Sequence, residues 1–237
     1  MTSLTLNTYS AERRTQLSTG SLEMMKWLAL ASMVIDHTNR AIFHNKYPLM
    51  FDIGRLAFPI FGFVLAYNLA RPGALVNGVY RRVSTRLLVA GAIATPFYWL
   101  AVGNAHLLWP LNIMFSLAAF ALSVWILESD VSIRFGAVAL VIIAGAFVDY
   151  FWFGLVYCLA AWCYCKRPAW STLAMWFFAT ACLLFVNEYN LWTFAALPLI
   201  GVAAYTRLDF PRYKTLFYLI YPLHLGLLAA WNARHFL

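Results

Sequence analysis

The sequence predicts an all-α fold, a polytopic bundle of about nine transmembrane helices. Two observations predict it. The 237 residues are 63% hydrophobic and only 11% charged, with a mean hydropathy of +0.72. Soluble globular domains carry about 45–50% apolar and about 25% charged residues, so this chain would expose more apolar surface than water tolerates. The apolar residues also fall in runs of about 20, the length that a helix needs to cross a hydrocarbon layer roughly 30 Å thick.

Nine apolar segments follow one another between residues 24 and 232. The fifth and sixth are short and come from one apolar stretch that Asp149 and Tyr150 interrupt, so a single kinked helix is the alternative there. The predicted spans are residues 24–44, 50–70, 83–102, 108–127, 134–148, 151–165, 170–187, 190–206 and 214–232.

Basic residues cluster in alternate loops, and this alternation orients the bundle. The clusters lie on one side of the membrane only if all nine segments cross it. If the fifth and sixth segments were one span, Lys166 and Arg167 would lie on the opposite side. The positive-inside rule then places the amino end in the cytoplasm and the carboxyl end outside. The clustered residues are Arg13, Arg14, Lys26, Arg71, Arg81, Arg82, Arg86, Lys166, Arg167, Arg207, Arg212 and Lys214.

The domain organisation is simple. Residues 1–22 are polar, rich in Ser and Thr, and lack the apolar core of a secretory signal, which predicts a short disordered cytoplasmic tail. Residues 23–237 form a single transmembrane domain without an internal repeat. The loops are short, so any chemistry depends on residues in or beside the membrane.

Charge and cysteine placement exclude two function classes. The net charge of +8 comes from short loop clusters between apolar runs, which is typical of membrane proteins and predicts no nucleic-acid partner. The four cysteines lie in apolar stretches and lack the paired spacing of zinc ligands, so we expect no metal.

The first span carries ionisable side chains, each of which costs roughly 2.5–3.5 kcal/mol at the centre of a membrane helix. Lys26 lies at its start, and Asp36 and His37 lie three turns further along. Eleven residues at about 100° each return His37 to nearly the face of Lys26, roughly 16 Å deeper. Arg40 follows Asp36 by four residues, a spacing that allows an ion pair.

Other spans place polar residues at a depth similar to that of His37. Arg55 lies early in the second span, and Pro59 removes a backbone hydrogen bond there, which in membranes tends to line a cavity. The further residues at this depth are Asn112, Asp149 and His224. Together they predict a shared pocket in the outer half of the bundle. The alternative is that Asp36–Arg40 and Asp52–Arg55 are interfacial ion pairs and that the histidines only bond neighbouring helices.

Six segments in and around these residues carry a family resemblance. They read KWLALASMVIDHTNRAIF, IGRLAFPIFGFVLAYNLA, RRVSTRLLVAGAIATPFYWL, LNIMFSLAAF, VDYFWFG and YLIYPLHLGLL, and they are spread over residues 26–228. Together they resemble the TraX-like family of conjugative pilin acetylases, including the TrbP proteins. The spacing of Lys26 and His37 is also similar to the basic-x10-His pattern of the larger family of membrane acyltransferases that modify surface polysaccharides.

The resemblance implies a bacterial inner-membrane acetyltransferase that moves an acetyl group from acetyl-CoA to the N-terminal amine of a conjugative pilin subunit. His37 is then the expected base, and His224 is a second candidate base or the residue that orients His37. Neighbouring helix residues point about 100° apart, so we expect Asp36 to orient Arg40 or Arg55 rather than His37.

The acetyltransferase interpretation also gives expected roles to the remaining candidate residues. Arg55 or Asn112 is expected to stabilise the oxyanion. The expected acceptor-binding residues are Asp149, Tyr150 and Tyr221. The residues expected to hold the coenzyme's phosphates at the cytoplasmic face are Lys26, Arg81, Arg82 and Arg86.

Two other classes of function remain open at this point. The protein could be a non-catalytic membrane chaperone or assembly factor for pilin, in which the buried charges fix helix register. It could also be a small-anion transporter, since membrane Asp, Arg and His build permeation paths, although many transporters show a repeat that this chain lacks. Stabilisation by acetyl-CoA separates the enzyme from the chaperone.

Overall fold

The computed structural model describes residues 17–102, 109–129, 134–213 and 215–236, and these residues form an all-helical bundle without a β-strand. Short 3-10 helices cover Leu183–Phe185 and Leu191–Ala195. The α-helices are α1 (Thr19–Ala41), α2 (Pro48–Gly54), α3 (Ala57–Ala70), α4 (Val79–Val102), α5 (Ile113–Ser129), α6 (Arg134–Gly145), α7 (Phe151–Lys166), α8 (Trp170–Cys182), α9 (Ala196–Tyr205) and α10 (Leu216–Phe236). The predicted all-α class is confirmed.

The bundle has the surface of a membrane protein. Among the described residues, three stretches are by length and composition suited to cross a membrane, namely Pro48–Ala70, Val79–Ala101 and Leu216–Arg234. Other apolar helices are shorter, at 10–17 residues. Large apolar side chains also cover the outside of the bundle, such as Ile143 at 62% exposed and Leu227 at 65%. Such a surface suits lipid rather than water. The number of crossings and the orientation stay predictions.

The helix boundaries change two expectations. α1 begins at Thr19 and therefore includes the last four residues of the predicted tail. The cause is a helix cap, because the Ser18 hydroxyl accepts a hydrogen bond from the Ser21 backbone N–H at 3.0 Å. Residues 1–16 of the predicted tail lie outside the described residues.

The fifth and sixth apolar segments form two helices, so the single kinked helix is wrong. α6 ends at Gly145 and α7 begins at Phe151. Tyr150 and Phe151 have φ angles of 62° and 49°, a left-handed conformation that reverses the chain between the helices. The turn is held to the segment before α5, where the Leu111 N–H donates to Phe147 O at 2.7 Å and Leu111 O accepts from the Asp149 N–H at 2.8 Å.

A break in the second apolar segment opens the bundle beside α1. Helix α2 ends at Gly54 and α3 begins at Ala57. Pro59 has no N–H with which to bond the carbonyl of Arg55 four residues earlier, so the helix is interrupted at that point. The interruption turns Gly54, Arg55 and Ala57 toward the cavity described below, as the proline predicts.

Helix packing brings the two predicted histidines together. α10 packs along α4, and both helices contact α1, while α3 packs between α1 and α7. A buried tyrosine links α7 to α3, because the Tyr157 hydroxyl donates to Pro59 O at 2.8 Å. His37 on α1 and His224 on α10 therefore face each other in the interior.

Candidate active site

A polar cavity of about 220 Å³ lies where α1, α4 and α10 meet the α2–α3 break and the α6–α7 turn. It brings together most of the residues that the sequence predicts for a shared pocket. Its polar and charged lining residues are Asp36, His37, Arg40, Arg55, Tyr98, Asp149, Tyr150, Glu188 and Tyr221. Four of the six residues predicted for the pocket therefore line one site, namely Asp36, His37, Arg55 and Asp149.

The two histidines form a direct hydrogen bond. His37 Nδ1 lies 2.8 Å from His224 Nε2. The rings are parallel within 5° and their centroids are 5.1 Å apart, so they meet edge to edge in nearly one plane. His37 lines the cavity, whereas His224 lies behind it and is only 8% exposed.

The backbone around His224 fixes which nitrogen donates. His224 Nδ1 lies 3.0 Å from the carbonyl oxygen of Ile220, and a carbonyl only accepts, so this nitrogen carries the proton. His224 Nε2 is then the acceptor and His37 Nδ1 the donor when both rings are neutral. The lone pair of His37 is left on Nε2, which no other described residue bonds. His37 is thus arranged to accept a proton from a molecule in the cavity.

Asp36 pairs with arginines and not with His37, as the helix spacing predicts. Its Oδ2 lies 3.0 Å from Arg55 Nη2 and 3.2 Å from Arg40 Nε. Arg55 is further bonded, because its Nη1 donates to Asn187 Oδ1 at 3.1 Å and its Nε to Phe51 O at 3.3 Å. With three partners and 5% exposure, Arg55 holds the wall of the cavity. It has little donor capacity left for a substrate.

Arg40 and Tyr98 line the cavity although the sequence did not single them out for it. Arg40 is engaged only through Nε to Asp36 within the described residues, and its side chain is 32% exposed. The ring of Tyr98 packs edge-on against His37, with centroids 6.5 Å apart. An arginine one turn after Asp36 predicts only an ion pair, and a tyrosine in an apolar span predicts only a core position. The sequence therefore did not indicate that either residue lines a cavity.

Asp149 and Tyr150 are held firmly at the far wall. The Tyr150 N–H donates to Asp149 Oδ1 at 3.0 Å, and the Asp149 carbonyl accepts from the Ser116 hydroxyl at 2.6 Å. The Tyr150 ring stacks on Phe58 at 4.0 Å. Tyr221 completes the lining, and its hydroxyl is buried without a partner among the described residues.

Asn112 does not join the cavity. Its side-chain amide donates to Gly91 O at 3.0 Å and to Thr95 Oγ1 at 3.1 Å, and its Oδ1 accepts from the Met114 N–H at 3.1 Å. These bonds cap the start of α5 and tie it to α4 just before Pro96. Asn112 is 1% exposed and fully bonded, so its expected place beside a reacting oxygen is not supported.

The four basic residues expected at the coenzyme lie at the opposite end of α1 and α4 from the cavity. Arg81, Arg82 and Arg86 are exposed, and Arg82 and Arg86 share one face of α4 because they are four residues apart. Lys26 is less free than expected, because its Nζ bonds Glu23 Oε1 at 2.5 Å.

Two of these cations flank the first turn of α10. Lys26 Nζ lies 4.6 Å from the ring centre of Phe217, and the Arg86 guanidinium lies 6.0 Å from that of Tyr218. The helices that meet here, α1, α4 and α10, also surround the His37–His224 pair, which lies further along them. In the part of the chain that the structure describes, no three His, Cys, Asp or Glu side chains are grouped as metal ligands.

The fold and the cavity define a bundle of apolar, membrane-type helices with a buried, hydrogen-bonded histidine pair in a polar site. The family model described as TraX protein matches residues 21–231, so the chain belongs to the TraX family. The chain is 34% identical over 104 residues to Protein TraX of Escherichia coli strain K12, covering 44% of this chain and 39% of that protein. It is 39% identical over 84 residues to a second Escherichia coli Protein TraX, covering 35% of this chain and 32% of that one.

The matched stretches thus span less than two fifths of these curated relatives. No solved structure matches the chain significantly. The resemblance to TraX-like proteins predicted from the six sequence segments is confirmed at the level of the family.

Proposed function

We propose that this protein is a bacterial inner-membrane acetyltransferase that transfers the acetyl group of acetyl-CoA to the N-terminal amine of a conjugative pilin subunit. The observation that carries the proposal is His37, whose Nε2 lone pair is unbonded within the described residues and whose ring lines a polar cavity. His224 fixes the tautomer of that base from behind. The family membership and the resemblance to pilin acetylases supply the acyl donor and the acceptor.

The reaction begins with a proton transfer to His37. An N-terminal amine is mostly protonated near neutral pH and must lose a proton before its nitrogen can attack. His37 Nε2 accepts that proton while Nδ1–H stays bonded to His224. The amine nitrogen then forms a bond to the thioester carbonyl carbon. The bonded nitrogen still carries one proton more than an amide, and it loses this second proton as the C–S bond breaks. The coenzyme leaves as a thiolate that takes up one of the two protons, the other passes to water, and the products are an N-acetyl amide and coenzyme A.

Arg40 is the best-placed group to stabilise the oxyanion of the tetrahedral intermediate. Its two Nη groups have no partner among the described residues, and it lines the same cavity as His37. Arg55, expected for this role, is already bonded to Asp36 and Asn187. A guanidinium aimed at the place where charge develops contributes more in a buried site than in water. Asp36 holds Arg40 there through Nε.

The acceptor amine has matching groups in the cavity. Asp149 and Glu188 line it, and their carboxyl oxygens are suited to accept hydrogen bonds from an incoming ammonium group. The coenzyme phosphates belong at the other end of α1 and α4, beside Arg82 and Arg86. Eleven residues of helix separate Lys26 from His37, about 16 Å. That length suits an extended pantetheine arm.

Coenzyme binding tests the proposal against the chaperone. Thermal unfolding of the purified protein is followed in detergent with acetyl-CoA, with coenzyme A and with ATP. A ligand at about 100 times its dissociation constant adds roughly 2.7 kcal/mol to the free energy of unfolding. We expect stabilisation by acetyl-CoA and coenzyme A that Arg82→Ala weakens and Arg134→Ala, an arginine at the start of α6, leaves unchanged. A folded protein that no coenzyme stabilises would favour an assembly factor.

A further inference from the structure

A second and larger cavity lies apart from the histidine site. It is a groove of about 1080 Å³ between α8 and α9, with α3 and α7 at its back. We call it the α8–α9 groove. Its walls are formed almost wholly by aromatic and aliphatic side chains, among them Phe63, Phe177 and Ile200. The residues of the proposed reaction do not line it.

We propose that the α8–α9 groove binds one anionic phospholipid of the surrounding bilayer, with its acyl chains in the groove and its phosphate at Arg71. Arg71 lies at the end of α3 and lines the mouth of the groove. Its guanidinium lies 5.2 Å from the ring centre of Tyr67, and no carboxylate pairs with it within the described residues. One cation above an apolar groove is complementary to a lipid with one negative charge above its chains.

The length of the groove is that of one leaflet. On α8 its lining runs from Trp170 to Ala181, eleven residues or about 16 Å, and on α3 from Phe63 to Arg71, about 12 Å. Half of a hydrocarbon layer roughly 30 Å thick is about 15 Å. Trp170 and Tyr205, 86% and 87% exposed, lie at the same end as Arg71. Trp and Tyr are enriched at the membrane–water interface, so this end belongs at headgroup level.

Gly201 provides a direct test. A Cβ built on Gly201 meets no atom within 4 Å, and Gly201 lines the groove, so a side chain placed there starts in open space at the groove wall. Gly136 on α6 is the matched control, since its Cβ meets only Ile126 Cγ2 at 4.0 Å and lies outside the groove. The probes are phosphatidylglycerol and phosphatidylcholine, added to the purified protein in detergent and counted on it by native mass spectrometry.

We expect the wild type and Gly136→Phe to retain one phosphatidylglycerol and Gly201→Phe to lose it, with unchanged unfolding midpoints. If Gly201→Phe does not fold, Ala204→Leu in the same wall takes its place. Arg71→Gln should lower the affinity for phosphatidylglycerol about fivefold and leave that for phosphatidylcholine unchanged. Arg134→Gln, another exposed arginine, should keep the wild-type preference.

Three results would overturn the proposal. Gly201→Phe could retain the lipid as the wild type does, or the wild type could bind the two lipids equally. The wild type could also form a dimer that Gly201→Phe dissociates, in which case the groove is a subunit interface. None of these results bears on acetyl transfer, because they do not involve the histidine cavity.

Discussion

His37 Nδ1 and His224 Nε2 lie 2.8 Å apart, with their rings in nearly one plane. Because the Ile220 carbonyl requires the proton of His224 on Nδ1, this contact assigns different tasks to the two histidines. His37 presents a free lone pair to the cavity, and His224 holds it in that tautomer. The sequence alone left both residues as candidate bases.

His224 is therefore a positioning residue. Replacing it with Leu should lower kcat about 10–100-fold, the usual cost of losing a partner that orients a functional histidine, and leave the KM for acetyl-CoA unchanged. His224→Gln should restore part of the activity, because its side-chain oxygen can accept from His37 Nδ1–H. Steady-state kinetics on the two variants measure this. Equal losses in Leu and Gln variants of wild-type stability would argue against the role.

The buried ion pair between Asp36 and Arg55 should stabilise the fold more than the partly exposed pair between Lys166 and Glu128. Arg55→Leu leaves the Asp36 carboxylate with Arg40 alone and Asn187 without its donor, so we expect a loss of about 3 kcal/mol. Lys166→Met breaks an ion pair with Glu128 in which both side chains are about a quarter exposed, and should cost at most about 1 kcal/mol. Unfolding in detergent by a denaturant series compares them, and equal losses would contradict this ranking.

Gly54 allows the α2–α3 break to approach α1. A Cβ on Gly54 would lie 2.5 Å from Asp36 Cβ and 2.7 Å from its Cγ, so Gly54→Ala must displace Asp36. We expect a loss of about 1–3 kcal/mol, typical of overpacking, together with reduced transfer activity. Gly226→Ala is the control, because its Cβ meets Phe97 at 3.7 Å and alanine is the better helix former. A Gly54→Ala protein as stable as Gly226→Ala would show that α1 and α2 are less closely packed.

Arg40 should stabilise the transition state of acetyl transfer. Arg40→Gln removes the charge proposed for the oxyanion, and we expect kcat to fall about 10²–10³-fold with little change in the KM for acetyl-CoA. Lys46→Gln, in the loop after α1, is the control and should keep full activity. A rise in KM at unchanged kcat would instead place Arg40 in substrate binding.

The level of the site along the helices was predictable, but the rotation of each helix was not. A rise of 1.5 Å per residue places Asp36, Arg55 and Asp149 at one level once the chain direction is assigned. Whether a side chain at that level faces the cavity depends on packing between helices, which is why Asn112 turned out to bond α4 while Tyr98 lines the site.

Two other features were beyond sequence reasoning for the same reason. Lys26 bonds a buried glutamate one turn earlier, and an acidic neighbour at i−3 is too common to predict such a pair. The Arg55–Asn187 bond joins residues 132 positions apart, and no pattern in a single sequence connects them. The helical character of the apolar segments was predictable from their length, whereas the division of the second segment into α2 and α3 and the 12-residue length of α6 were not.

The most direct test of the proposed reaction is the intact mass of the pilin acceptor after incubation with acetyl-CoA and the reconstituted protein. The account predicts that the wild type adds one acetyl group at the amino terminus. A His37→Ala protein should lose about 10²–10⁴-fold in rate while acetyl-CoA still stabilises it against unfolding. Full acetylation by a stably folded His37→Ala protein would contradict the central role of His37.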